Sequence, residues 1–152
     1  MRNILAAIDF SEITSAVIAQ AELLAEATKS KLWLIHIASP NPDFIGYKTG
    51  PQTERNYLAR KFHNQHRQLQ EWAQQLRQKG IDAVALMIQG PTIETILEQA
   101  RKLAADLIVV GSHGHRGFYK VLVGSVSEGL LRQANCPVLI VPVRSKPEVI
   151  DQ

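Results

Sequence analysis

The chain has a single cysteine, Cys136, among its 152 residues. No intramolecular disulfide can form, and the expected setting is the reducing cytoplasm. No apolar stretch approaches the roughly 20 residues that a helix needs to cross a bilayer, so no membrane partner is expected. The N-terminal MRNILAAIDF carries one arginine before a short apolar run that meets Asp9. That run is too short for a signal-peptide core, and no small-residue cleavage site follows it. Long runs of one charge are missing as well. With 17 basic against 14 acidic residues the formal net charge is +3, which leaves no electrostatic footprint for nucleic acid. Several signatures of chemistry are absent: GxxxxGK followed by Ser or Thr, GxSxG, HExxH, SGGxDS, HIGH, and any glycine in the first strand-to-helix turn, DFSEITS. A P-loop, a dinucleotide fingerprint, a hydrolase nucleophile elbow and a zincin site are thereby disfavoured.

What is present is the balance of a globular protein, 45% hydrophobic and 20% charged, at a length suited to one domain. Five nearly continuous apolar runs, 4–8, 32–38, 83–88, 106–110 and 138–143, read as strands covered on both faces. Between them lie helical spacings: Ile13, Val17, Ala21 and Leu24 with Ala16 and Ala27 beside them; Leu58 to Leu76 in a Gln/Arg-rich stretch from about Glu54 to Lys79; Ile93 to Ala104 after Pro91; and Val126, Leu130, Leu131 and Ala134. Strands alternating with helices predict an α/β fold with a parallel sheet, right-handed crossovers and helices on both faces. The domain is expected over 1–144, with a variable loop at 40–53, and 145–152 as a loose tail.

In such a sheet, ligands sit at the carboxyl ends of the strands where the strand order reverses. The segment GSHGHRGFYKVLVGS, 111–125, begins where the fourth strand ends and runs to a helix start. Unpartnered N–H groups and the helix dipole at such a start suit phosphate, and glycine permits close approach. A plain loop with Ser125 as the helix N-cap accounts for the same residues. As a metal site, His113 and His115 supply at most half a tetrahedral shell, and His63 and His66 lack a third ligand, so the metal ligands stay unknown. Asp9, at the end of strand one, suits a ribose or a divalent cation, and equally a helix cap together with Ser11. Cys136 reads as a small buried hydrophobe and His36 as a packed strand residue.

The segment DLIVVGSHGHRGFYKVLVGSVSEGLLRQANCPVLIVP resembles the C-terminal half of the universal stress proteins. Gly111-x2-Gly114-x9-Gly124-Ser125 fits the G-x2-G-x9-G-S/T pattern of their ATP-binding members. ILAAIDFSE, LIHI and the order of elements extend the resemblance over nearly the whole chain outside 40–80. It implies a Rossmann-like open sheet of five parallel strands in the order 3-2-1-4-5, and a site for ATP with Mg or Mn. By matching positions, Gly111, Gly114, Gly124, Ser125 and Val126 would hold ribose and phosphates. Asp9 and Ala7 would lie near the adenosine, Ile37 would offer backbone hydrogen bonds to adenine, Val110 would pack beside it, and Ser127 would reach phosphate or metal. His115, Arg116 and Lys120 would add charge for a triphosphate, while Gly117 and Ala7 depart from the pattern. The resemblance further implies a homodimer through strand five (138–143), whose open apolar edge would otherwise invite aggregation. The function implied is a nucleotide-dependent stress-response switch or partner-binding module with no catalytic residue. The alternatives are a slow ATPase or adenylyl-transfer enzyme, or a dimeric module in which nucleotide is incidental.

Overall fold

In the computed structural model, which describes residues 1–38, 52–112 and 124–142 (the side chains of 52–54 excepted), strands and helices alternate throughout. The elements are β1 (Asn3–Ala7), α1 (Thr14–Thr28), β2 (Lys31–Ala38), α2 (Gln52–Gln78), β3 (Ala83–Gln89), α3 (Thr92–Lys102), β4 (Leu107–Gly111), α4 (Ser125–Gln133) and β5 (Val138–Val141). The five strands form one sheet in the order β3-β2-β1-β4-β5, and every pairing is parallel. The α/β class and the strand order are those expected.

Period-two alternation divides the strands between two cores. Ile4, Ala6, Ile8, Leu32, Leu34, Leu107 and Val109 face α1 and α2, meeting Val17, Ala21, Leu69, Ala73 and Leu76. Leu5, Ile35, Ile37, Ile108 and Val110 face α3 and α4, meeting Ile96, Ala100 and Leu130. Each fully buried Leu or Ile in these layers contributes about 1.5–3 kcal/mol. Both sides of β1 are sealed, which is why its sequence is apolar without alternation.

The α1 stripe runs at four-residue intervals through Ile13, Val17, Ala21 and Ala25, all buried, so Ala25 takes the inner place that spacing assigns to Leu24, which is half-buried, and Ala27 is exposed. Leu131 also departs from expectation, standing 51% exposed on α4. The small residues let α1 lie close to the sheet, and at Gly111 the approach leaves no room for a side chain. A Cβ there would stand 2.6 Å from Ile13 Cγ2 and 3.3 Å from Val17 Cγ2. At the opposite end, the Asp106 carboxylate accepts the Arg2 and Asn3 N–H groups at 2.7 and 2.9 Å, tying the start of β4 to that of β1.

Strand β5 closes one edge and ends at Val141 rather than 143; Pro142 has no N–H to continue a ladder, and Val143 lies outside the described residues. Most of the 40–53 loop lies outside them too, and α2 begins two residues before the expected Glu54. Among the described residues, no helix is long and apolar enough to cross a membrane.

The Gly111 contact predicts that Gly111→Ala lowers stability by about 1–3 kcal/mol through overpacking, a fall in Tm of roughly 3–10 °C. Calorimetry of Gly111→Ala, Ile13→Ala and the double variant should give a double-variant loss well below the sum of the singles, because Ile13→Ala vacates the space that the new methyl needs.

Candidate functional site

The chain winds outward from β1 in both directions, first to β2 and β3 and then to β4 and β5, so the order reverses between β1 and β4. The ladders make a notch there. Pairing of β1 with β4 ends at Ala6 opposite Val109, and pairing with β2 ends at Ala7 opposite Ile35. The outer pairs run further, to Ala38 opposite Gln89 and to Gly111 opposite Val141. Strand β1 therefore stops short between two neighbours that both run past its end.

The backbone of those neighbours faces the gap. Ile35 C=O accepts Ile8 N–H at 2.7 Å and Ala38 C=O accepts Gly90 N–H on the β3 side. Alternation then turns the N–H and C=O of Ile37 toward β1, past the end of its ladder. On the other flank, Ile108 and Ser112 donate to Pro137 and Val141 of the β5 side, which turns Gly111 toward the notch. The side chains of Ala7, Ile37, Val110 and Val126 all join the α3/α4 core, so four of the expected site residues form one apolar wall.

Above that wall stands the start of α4. Its N-cap is Gly124, not Ser125, and no side chain caps it. The first-turn N–H groups, those of Ser125 and Val126 included, have no partner within the helix. Gly124 has φ −61° and ψ 162°, a conformation open to any residue, so the backbone does not require glycine there. Ser127 is almost fully buried, and its Oγ donates to the Gly111 carbonyl at 3.1 Å. It braces the end of β4 against α4. Glu128, in the same first turn, is drawn to Arg132 Nη2 at 2.8 Å. Gly114, His113, His115, Arg116, Gly117 and Lys120 lie outside the described residues.

Asp9 follows β1 on the rim. Its Oδ1 accepts Ser11 N–H at 2.9 Å, Ser11 Oγ at 2.7 Å and Thr14 Oγ1 at 3.4 Å. This is a local turn and not an N-cap; the cap of α1 is Ile13, without a side-chain bond. Beneath it His36 bonds the Ile8 carbonyl through Nδ1 at 2.7 Å, so Nδ1 carries the proton. Burial is the main influence on this imidazole and lowers its pKa, against the Ile8 bond and Asp9, which raise it, and with Lys61, which lowers it.

Phe10 was no sequence candidate, yet it has φ +62°, a conformation unusual for a bulky residue. A backbone angle leaves no mark in composition or spacing. Among the described residues no group of three or more His, Cys, Asp or Glu side chains could hold a metal. His63 and His66 stand exposed on α2. Burial pushes the Cys136 thiol up, away from nucleophilic chemistry.

The sequence model of the universal stress protein family matches residues 1–142. The chain belongs to the universal stress protein family. A universal stress protein of Thermus aquaticus is 30% identical over 146 residues, covering 92% of this chain and 98% of its own. A universal stress protein structure from Archaeoglobus fulgidus in complex with dAMP has a TM-score of 0.62 at 20% identity, covering 92% of this chain and 97% of that one. Another universal stress protein, in complex with cAMP, has a TM-score of 0.63 at 22% identity, covering 93% and 96%.

The lowered pKa of His36 has a definite consequence for stability. Folding favours the neutral ring, so its contribution is present above the ordinary imidazole value of 6.5 and is lost as pH falls through the lower folded-state pKa. Thermal unfolding should show Tm falling as pH drops from 6.5 toward about 5, where carboxylates begin to contribute. His36→Asn, which keeps a donor for the Ile8 carbonyl and does not titrate, should flatten that slope.

Proposed function

We propose that this universal stress protein binds an adenine nucleotide in the notch and acts as a nucleotide-dependent stress-response switch or partner-binding module. The observation that carries this reading is the early end of β1 between β2 and β4. It leaves the Ile37 N–H and C=O facing a gap walled by Ala7, Val110 and Val126, and a flat apolar ring with a donor and an acceptor on its edge fits such a gap. The phosphates would lie toward the first turn of α4 at Gly124, Ser125 and Val126, where N–H groups and the helix dipole favour anions. The dAMP and cAMP complexes of the two neighbours support the adenine part of this reading. ATP is the preferred occupant, with Asp9 as a carboxylate able to share a Mg or Mn ion with phosphate oxygens. Ser127 acts as a brace here, through its bond to Gly111. The reading assigns no catalytic residue.

Isothermal titration of the purified protein with Mg-ATP and with AMP tests this. Both are expected to bind, and Gly124→Val, whose backbone angles suit valine, should weaken Mg-ATP at least tenfold while the far-UV spectrum and Tm stay near wild type. A folded wild-type protein that takes up neither nucleotide sinks the proposal.

The partner in this reading is a second copy of the chain. Val138 and Ile140 turn their N–H and C=O outward from β4, on an edge beside a groove of about 700 Å³ lined by Ile13, Ala16, Leu139 and Pro142. Edge-to-edge pairing through β5 would satisfy those groups and cover the apolar strand. Sedimentation velocity should give a dimer for wild type and a shift to monomer for Ile140→Pro, which removes one outward donor and no β4 bond; wild type sedimenting as monomer would contradict it.

A further inference from the structure

We infer that Trp72 and His36 are positioning residues for the nucleotide site, holding Phe10 in its left-handed conformation and through it fixing Asp9 on the rim. The inference rests on the nucleotide reading of the notch and extends it to α2, an element outside the crevice. A non-glycine residue at positive φ stores strain, and it persists only where its surroundings over-determine it. Phe10, at φ +62°, is over-determined from two other elements. Its ring stacks on Trp72 of α2, centroids 5.6 Å apart at 25°, and meets the edge of His36 of β2 at 4.7 Å and 75°. The residues around Phe10 are tethered as well. Ile8 donates to Ile35 C=O and accepts from His36 Nδ1, both at 2.7 Å, and Ser11 C=O accepts Thr14 N–H at 3.1 Å. Asp9 lies between the tethered Ile8 and the clamped Phe10, its Oδ1 held by Ser11 and Thr14.

The geometry separates the clamp from ordinary packing. Leu69, Ala73 and Leu76 attach α2 to the sheet and are fully or almost fully buried, whereas Trp72 is only partly buried, packing against that core. Loss of its ring face frees the Phe10 backbone to leave the left-handed region, and the Asp9 carboxylate moves with it. A glycine at position 10 would take the same φ without a clamp. Trp72 then has nothing to hold, and this predicts a specific non-additivity.

The test is isothermal titration of Mg-ATP into wild type, Trp72→Ala, Phe10→Gly and the double variant, with Trp72→Leu, which keeps apolar volume without a ring face, as a second probe should Trp72→Ala fail to fold. Trp72→Ala or Trp72→Leu is expected to weaken binding about tenfold, Trp72→Phe to restore most of it, and either truncation to cost nothing further in the Phe10→Gly background. In a Trp33→Phe protein, the emission of Trp72 should shift when Mg-ATP is added. Wild type that does not bind overturns the site reading and this inference together. Wild type that binds, with Trp72→Leu equally tight or its loss undiminished beside Phe10→Gly, overturns this inference alone.

Discussion

Strand β1 is bonded on both sides and sealed on both faces, yet it stops before its neighbours do. Backbone groups past its end cannot be left dry and unpaired. The molecule meets this demand by three different means. The His36 imidazole takes the Ile8 carbonyl, the Ser127 hydroxyl takes the Gly111 carbonyl, and Ile8 N–H reaches across to the Ile35 carbonyl. These bonds close the notch at its margins. The Ile37 N–H and C=O still face its interior, and in the proposed nucleotide reading a ligand with matching edges pairs with them.

The two glycines at the described ends of the 111–125 segment serve different physical ends. Gly111 is held to glycine by α1, since a Cβ would run into Ile13 and Val17 on the face away from the α3/α4 core. Gly124 stands at the N-cap of α4 in a conformation open to any residue. In the proposed reading its missing side chain leaves room for phosphate beside the first-turn N–H groups, which have no partner within the helix. One motif thus combines a packing constraint with a spatial one, and a pattern of letters cannot separate them.

Much of the fold was legible because parallel strands sealed on both faces must be apolar throughout, and all five runs of that kind are strands. The strand order came with the family resemblance, not from periodicity. The α1 face was legible to within one residue, the stripe continuing after Ala21 to Ala25 rather than Leu24, since positions three and four apart share a helix face. Of the site, Ala7, Ile37, Val110 and Val126 were named through the family resemblance, and the structure brings their side chains together in one core. The bond of Ser127 to a carbonyl 16 residues away could not be read, nor could the aromatic contacts from β2 and α2 to Phe10, because long-range partners leave no local signal.

The first strand-to-helix turn carries no glycine, and that absence speaks against a dinucleotide fingerprint. The structure gives the same absence a positive meaning. A glycine at position 10 would adopt φ +62° freely, but it would offer α2 and β2 no ring to grip. Phenylalanine there costs backbone strain of about 1–3 kcal/mol and in return ties the turn to two elements distant in sequence. Where glycine-rich turns bring the backbone close to a phosphate, this turn is instead built to be held still. In the proposed nucleotide reading, the phosphates fall accordingly to the start of α4, where the N-cap is a glycine.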